Sequence, residues 1–511
     1  MAKTITLVGI SGNTIEFVDN GDPMQGGMKD VYFSPDKSYV VAFFRDYDFN
    51  KNRQEYNNLK DRMLEIVTTK KDGVFKQEGG AYWTDLLCWP YDLVEHNGKL
   101  GIAVPAYQKH FFFSVGSKNN DFLGIKGKEK NGKWFASPFH FNKNLDAHEK
   151  GDWYKYIIVC LHIARATRRL HSAGLAHSDL SYNNVLVDPT SGKAAVIDLD
   201  GLVVPGKFPP DVMGTPDFIA PEVLATKHLA KTDSNRKHPS IQTDRHALAV
   251  MIYMYLLHRH PLRGGKIHDL DPVKDEELSM GSKSVFIEQS TDKSNRPKMA
   301  DVKPSHLTPT PWPDVSKLPY SLCGPYLQGL FNQAFIDGLH NPALRPSAGD
   351  WEHALVKTID LIQPCQNKSC ELKWYVFDNN TKPKCPFCGT SYKGQLPVLN
   401  FYVKTPAGKF SYENHRLMVY SGQNIYQWHV NKNILPNERL APETKKPVAD
   451  FHFHNNKWIL INRKLNSLLD VSDSNKEIPI GSSIEITDGK QILLSKEDGG
   501  RLIIVQLVNN Q

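Results

Sequence analysis

At 511 residues, 40% hydrophobic and 23% charged, the chain has an ordinary globular balance and is too long for one core, so roughly three domains are expected. Its net charge of +7 is small for this length and no basic run dominates, which argues for a solvated surface and against a nucleic-acid footprint. No run approaches the roughly 18 apolar residues of a membrane span. The opening MAKTITLVGISGNTIEF is too short and polar for a signal peptide, so a reducing, cytoplasmic setting is expected.

Residues 1–110 read as strands with one helix. A glycine-bearing turn lies in MQGGMKDVYF (24–33), followed by the apolar run VVAFFRDY (40–47). A polar helix over about 51–70 and two strands turning at Asn97-Gly98 follow. IKGKEKNGKW (125–134), the densest basic stretch, suggests a surface hairpin around Asn131-Gly132. Residues 152–174 have helical spacing and end on Gly174; Asp244–His258 is apolar all round, as a buried helix would be. Residues 263–318 read as a polar, Pro-rich excursion with a short ordered piece at SVFIEQ (284–289). A helical pair is expected near 323–340 and 348–363, then a cluster of four cysteines, then an all-β domain of short alternating strands from Leu396 onward.

HSDLSYNNVLVD (177–188) carries the chemistry. Asp179 follows His177 by two positions, and Asn184 follows Asp179 by five. A phosphoryl-transfer site needs a carboxylate to orient a hydroxyl and a neutral oxygen for Mg²⁺, both on one short loop. VLVDPTSGKAAVIDLD then reads as strand, turn, strand, which would return Asp198 beside Asn184 so that both could hold the metal. Ala220-Pro221-Glu222 and Arg345-Pro346 lie downstream. Asp179 and Asn184 could be mere turn and cap residues, but the ordered succession of motifs weighs against that.

In these motifs the chain resembles the eukaryotic-type (Hanks-type) Ser/Thr protein kinases over about residues 20–362. The resemblance implies an α+β bilobal protein-kinase fold, with an N-lobe at 1–110 and a C-lobe at 111–362. It implies ATP and Mg²⁺ (or Mn²⁺) as cofactors and a protein substrate. By the same resemblance Asp179 accepts the hydroxyl proton and Asn184 and Asp198 hold the metals. Glu222 and Arg345 form a buried bridge, and Asp244 braces the catalytic-loop backbone.

The departures from that pattern are specific. Ser178 replaces the Arg that reads a phosphorylated activation loop in many kinases, and GLVVPGKFPPDVMG (201–214) has no Ser, Thr or Tyr. Activation by phosphorylation there is therefore not expected, and Thr215 is expected to shape the substrate pocket. Ser181 replaces the usual catalytic-loop Lys, and Asp200 replaces the Gly of D-F-G. In V-A-x-K, Phe44 occupies the Lys position, with Arg45 one step beyond on the opposite face of the strand. In the glycine loop Gly26 takes the second Gly position, Gly27 follows, and Lys29 takes the third. This resembles the with-no-lysine kinases and implies Lys29 as the ATP-phosphate residue. Arg45 after a one-residue slip is the alternative, and a solvated Lys29 in a weak or inactive site is a third reading. Glu55, Asp61 and Glu65 of the first helix are candidate carboxylate partners. Adenine is expected beneath GIAVPAY, on backbone groups from about Val104 to Tyr107.

Cys365-x4-Cys370 and Cys385-x2-Cys388 form two knuckles suited to tetrahedral thiolate coordination of a structural Zn²⁺. Two local disulfides or an iron–sulfur cluster are the alternatives. The segment resembles zinc ribbons and gives a domain at 363–394. Cys88, Cys160 and Cys323 are expected as buried small hydrophobes. Residues 395–511 resemble a forkhead-associated domain, a β-sandwich that binds phosphothreonine peptides. His452 falls at the family's His, but Ala449 falls at its phosphate-binding Ser and Gln423 at its Arg, which favours a docking or scaffold module. The order of domains resembles bacterial tellurite-resistance-associated kinases and implies a von Willebrand A-type protein and a PP2C-type phosphatase as partners. Two further readings remain. One is a pseudokinase scaffold, supported by the missing V-A-x-K Lys. The other is an aminoglycoside-kinase-type phosphotransferase, opposed by Glu222 and Arg345.

Overall fold

Alternation in the N-terminal third settles which side chains share a face. The computed structural model describes residues 2–25, 27–76, 79–137, 139–204, 214–299, 312–377 and 383–510. The chain divides into two compact units. The first comprises 1–151, 158–308 and 331–350, the second 152–157, 309–330 and 351–511.

In the first unit, β1 (Lys3–Val8) and β2 (Thr14–Asp19) form an antiparallel ribbon. Five strands follow: β3 (Met24–Gln25), β4 (Lys29–Phe33), β5 (Tyr39–Asp48), β6 (Asp92–His96) and β7 (Lys99–Pro105). They form one antiparallel sheet in the order β3-β4-β5-β7-β6. Successive strand residues point to opposite faces. Val41, Phe43 and Ala103 therefore join Ile15 and Phe17 in one apolar cluster, while Val40, Ala42, Phe44 and Val104 line a cavity on the other face. The helix Arg53–Glu65 is capped by Asn52, whose side chain accepts from the Glu55 amide, and it continues through a wide turn at Ile66–Lys70 into Lys71–Phe75.

The basic stretch at 125–134 is not a surface hairpin. A short helix, Lys133–Ala136, follows Gly132. Lys130 is buried, with its ammonium 3.0 Å from both Glu149 and Asp188. Gly132 lies so close to Tyr255 that a Cβ there would fall 2.0 Å from the phenol oxygen, so only glycine fits at this point of the chain. The excursion at 263–318 is more ordered than its composition suggests. It holds the helix Pro272–Met280, capped by Asp271, and Phe286 and Ile287 are buried. The helix Ile241–Leu257 is buried on nearly all sides and opens on a reciprocal Ser240–Thr243 cap. A ribbon of β8 (Val185–Asp188) and β9 (Lys193–Val196) pairs Val185 with Val196. Cys160 and Cys323 are buried; Cys88 is partly exposed.

The second unit starts its β structure with a ribbon of β10 (Ile362–Pro364) and β11 (Trp374–Val376). Next come β12 (Gly394–Lys404), β13 (Phe410–Met418), β14 (Asn424–Ile425), β15 (Ala449–His454), β16 (Lys457–Asn462) and β17 (Leu469–Asp470). The last four are β18 (Lys476–Glu477), β19 (Ser483–Glu485), β20 (Gln491–Leu493) and β21 (Arg501–Asn510). They form a six-stranded sheet, β13-β12-β21-β20-β17-β18, and a four-stranded sheet, β14-β15-β16-β19, antiparallel throughout. Leu399, Phe401 and Ile503 of the first sheet share one core with Phe451, Leu460 and Ile484 of the second. Asp360, just past the helix Ala348–Ile359, is buried against His415 Nε2 at 2.6 Å and His429 Nε2 at 3.2 Å.

Candidate active site

The β8–β9 ribbon brings two of the sequence's candidate residues to the same end of the ribbon, Asn184 just before β8 and Asp198 just after β9. The Ile197 amide donates to the Asn184 carbonyl at 3.0 Å, so Asp198 begins one residue past the paired position. Asp198 sits at φ +60°, a left-handed conformation that Asp tolerates better than most residues. His177 Nε2 bonds the Ile197 carbonyl at 3.0 Å and ties the preceding loop to the same strand. Asp244 fixes that loop from below, accepting from the amides of His177 at 2.7 Å and Ser178 at 3.2 Å. Its Oδ2 also lies 3.1 Å from His171 Nε2.

Asp179 is held on both oxygens. Its Oδ1 accepts from the Thr215 amide at 2.6 Å and the Thr215 hydroxyl at 2.8 Å. Its Oδ2 accepts from Asn184 Nδ2 at 2.9 Å, and its carbonyl takes the same amide at 2.8 Å. With both Asn184 amide hydrogens committed to Asp179, the amide oxygen is the atom left to meet a cation. Arg345 makes a two-pronged contact with Glu222, at 2.8 and 2.7 Å, and also donates to the carbonyls of Gly338, Leu339 and Gln242.

Lys29 faces Phe44 directly across β4 and β5, so the two side chains share a face. Its ammonium lies 5.3 Å from the Phe44 ring centroid. It reaches Asp200 Oδ1 at 2.6 Å and Asp198 Oδ1 at 3.0 Å. Burial would lower the Lys29 pKa, but Asp200 and Asp198 outweigh it and hold the ammonium above its usual 10.5. Burial pushes Asp198 up, yet Lys29 holds it below 3.8; burial keeps Asp200 above that value. Lys29 pulls both carboxylates down, and it is the burial of Asp200 together with the charge of Asp198 that keeps Asp200 the more proton-retaining of the two.

These groups line a cavity of about 1230 Å³ together with Gly27, Val104 and Tyr107. The volume suits a nucleotide-sized ligand, and the walls near Ile102 and Val104 are apolar. Arg45 is not part of that lining: it donates to the Gly27 carbonyl at 2.5 Å and its Nε lies 3.8 Å from Asp30. Gly26 lies outside the described residues, as do residues 205–213 of the segment that lacks hydroxyls. None of Glu55, Asp61 and Glu65 lines the cavity; the first helix contributes Arg62 instead. Sequence reasoning did not identify Asp200 as the lysine's partner, although the replacement of Gly by a carboxylate was the available signal.

The four clustered cysteines offer sulfurs all within 4.8 Å of one another. The short separations run between the knuckles, Cys365 to Cys388 at 3.5 Å and Cys370 to Cys385 at 3.9 Å. Ligands about 2.3 Å from a tetrahedral ion lie at such separations from one another. Pairing across the knuckles fits one four-sulfur centre better than two local disulfides. In the β domain Ala449 is buried, and the neighbouring Asp450 carboxylate binds both Arg463 and His452.

Part of the chain is similar to known proteins. The family model described as protein kinase domain matches residues 142–311. That span holds Asp179, Asn184, Asp198, Glu222 and Asp244. A probable serine/threonine-protein kinase PLK of Dictyostelium discoideum is 23% identical over 146 residues, 28% of this chain and 14% of that protein. The death-associated protein kinase dapk-1 of Caenorhabditis elegans is 31% identical over 123 residues, 24% of this chain and 8% of that protein. A dual serine/threonine and tyrosine protein kinase of Apis mellifera is 31% identical over 81 residues, 16% of this chain and 8% of that protein. The chain thus spans a small part of each relative. The similarity to protein kinase domains thus covers the segment that carries Asp179, Asn184 and Asp198. Among the described residues, no helix is long and apolar enough to cross a membrane.

Proposed function

We propose that the chain is an ATP- and Mg²⁺-dependent protein Ser/Thr kinase that needs no phosphorylation of its activation segment. The observation that carries this reading is Lys29, 2.6 and 3.0 Å from Asp200 and Asp198 in a cavity that Asp179 also lines. A scaffold would need no such convergence of a cation, two carboxylates and a hydrogen-bonded third. Lys29 and the Gly27 backbone would meet the ATP phosphates, and the segment from Val104 to Tyr107 would hold adenine. Asn184 through its amide oxygen and Asp198 through its carboxylate would hold Mg²⁺, which neutralises phosphate charge when bound. Asp179, fixed by Thr215 and Asn184, would orient the substrate hydroxyl. That oxygen bonds the γ-phosphorus as the bond to the β-phosphate oxygen breaks; the proton passes to Asp179 and ADP leaves.

The four thiolates would hold a structural Zn²⁺, since their number fills its coordination shell. The β domain would serve as a docking module. With Ala449 buried and Arg463 already neutralised by Asp450, phosphothreonine recognition is disfavoured. A von Willebrand A-type protein and a PP2C-type phosphatase are the proposed partners, on resemblance of domain order.

Labelled-ATP phosphotransfer by the purified chain with Mg²⁺ or Mn²⁺ tests the reading, beside Asp179→Asn. Transfer that Asp179→Asn abolishes is expected. Tight nucleotide binding with no transfer to any acceptor, its own hydroxyls included, would favour the scaffold.

A further inference from the structure

The lysine that would meet the ATP phosphates has lost its usual strand, and its counter-charge has left the first helix as well. In a kinase of ordinary design a carboxylate on that helix pairs with the phosphate-binding lysine, and helix position switches the site on and off. Here Glu55 and Asp61 are exposed, Glu65 is half-buried, and none of the three lines the cavity. The helix turns a cation, Arg62, toward the cavity. Among the described residues, the ion-pair partners of Lys29 are Asp198 and Asp200.

We infer that Asp200 is the positioning residue for Lys29 and takes the place of the first-helix carboxylate. The assignment rests on the kinase reading and specifies how its lysine is held. The shorter of the two contacts, 2.6 Å, is to Asp200. Asp198 has a second duty, toward the metal. Asp200 is buried within the one-turn segment Leu199–Gly201, so its carboxylate is fixed by the backbone that carries Asp198. A glycine at 200 could not supply it. Lysine placement and metal placement thus depend on one three-residue segment, Asp198 to Asp200, and displacement of the first helix leaves the pair intact.

The test is a double-mutant cycle in the full chain. Asp200→Asn should lower kcat at least tenfold and leave KM for the protein acceptor unchanged, with Asp200→Glu recovering part of the loss. Lys29→Met/Asp200→Asn should be no slower than Lys29→Met, because Asp200 acts through Lys29. Glu55→Gln, Asp61→Asn and Glu65→Gln should stay within about twofold. A second readout needs no activity: unfolding midpoints should be non-additive for the Lys29/Asp200 pair and additive for Lys29/Glu65. Asp200→Gly, the residue usual at this position in kinases, repeats the cycle if Asp200→Asn folds poorly. Additive effects of the Lys29/Asp200 pair in either readout, or loss confined to a helix carboxylate, overturn the assignment. Stabilisation of the unmutated chain by Mg²⁺-ATP is measured alongside. If it is present while the Lys29/Asp200 pair is additive, this assignment alone falls. If the unmutated chain neither binds nucleotide nor transfers phosphate, the kinase reading falls and takes the assignment with it.

Discussion

If Lys29 binds the ATP phosphates as proposed, moving that lysine from position 29 to position 44 should preserve the site. Lys29 and Phe44 are direct cross-strand neighbours. Side chains so placed have Cβ atoms about 4.5–5.5 Å apart, less than the reach of a lysine stem. An ammonium grown from position 44 can therefore reach Asp198 and Asp200 from the same face of the sheet. On the proposed reading, Lys29→Met removes a fixed cation from where negative charge would gather during transfer. Losses of that kind run to about 10²–10³ in kcat, about 2.7–4 kcal/mol. Lys29→Met/Phe44→Lys should recover at least about tenfold of that, equivalent to about 1.4 kcal/mol. The assay is initial-rate transfer from labelled ATP to a protein acceptor, with melting curves to show that each variant folds. A folded double variant no faster than Lys29→Met would refute the cross-strand argument.

Three further outcomes are expected. Arg345→Met should cost about 3–5 kcal/mol in urea unfolding, because it strips Glu222 and three carbonyls of their donor. Glu222→Gln should cost less, about 1.5–3 kcal/mol, because Arg345 keeps its carbonyl partners; the reverse order would sink the account. Acid should destabilise the first unit below about pH 6.5. Burial holds His162 and His260 down to about 4 and His258 to about 3. The unfolded chain then takes up protons that the folded chain refuses, and stability falls from the ordinary histidine range toward pH 4. A flat unfolding midpoint between pH 7 and 4.5 would contradict this. Purified chain should carry stoichiometric zinc, and Cys385→Ser should lose it and become protease-sensitive around residues 363–394; metal-free chain of unchanged stability would rule out the centre.

Local pattern was enough wherever one face of a strand was wet or one turn was tight. The run VVAFF announced a strand, and its parity sent Val41 and Phe43 to one side and Ala42 and Phe44 to the other. VLVDPTSGKAAV announced the ribbon that brings Asn184 near Asp198 because a six-residue spacing of apolar runs around Ser191-Gly192 leaves little else to do. Long-range pairing was not legible. Lys130 looked solvated among other lysines, yet Glu149 and Asp188 lie far along the chain and claim it in the interior. The same blindness hid the partner of Lys29. The candidate partners on the first helix lie near it in sequence, while Asp200 lies 171 positions away.

The β8–β9 ribbon has a mechanical consequence. Asn184 is tied to Ile197 by a backbone hydrogen bond, and Asp198 is the next residue. Asn184 and Asp198 thus flank one ribbon, whereas Lys29 belongs to a different sheet. A shift of the five-stranded sheet would alter the distance from the lysine to the carboxylates but not the spacing of Asn184 and Asp198 from each other. If the proposed site is real, nucleotide exchange that loosens the contact of Lys29 with the two carboxylates would leave the spacing of Asn184 and Asp198 unchanged, and a metal held by that pair would not have to be rebuilt on every cycle.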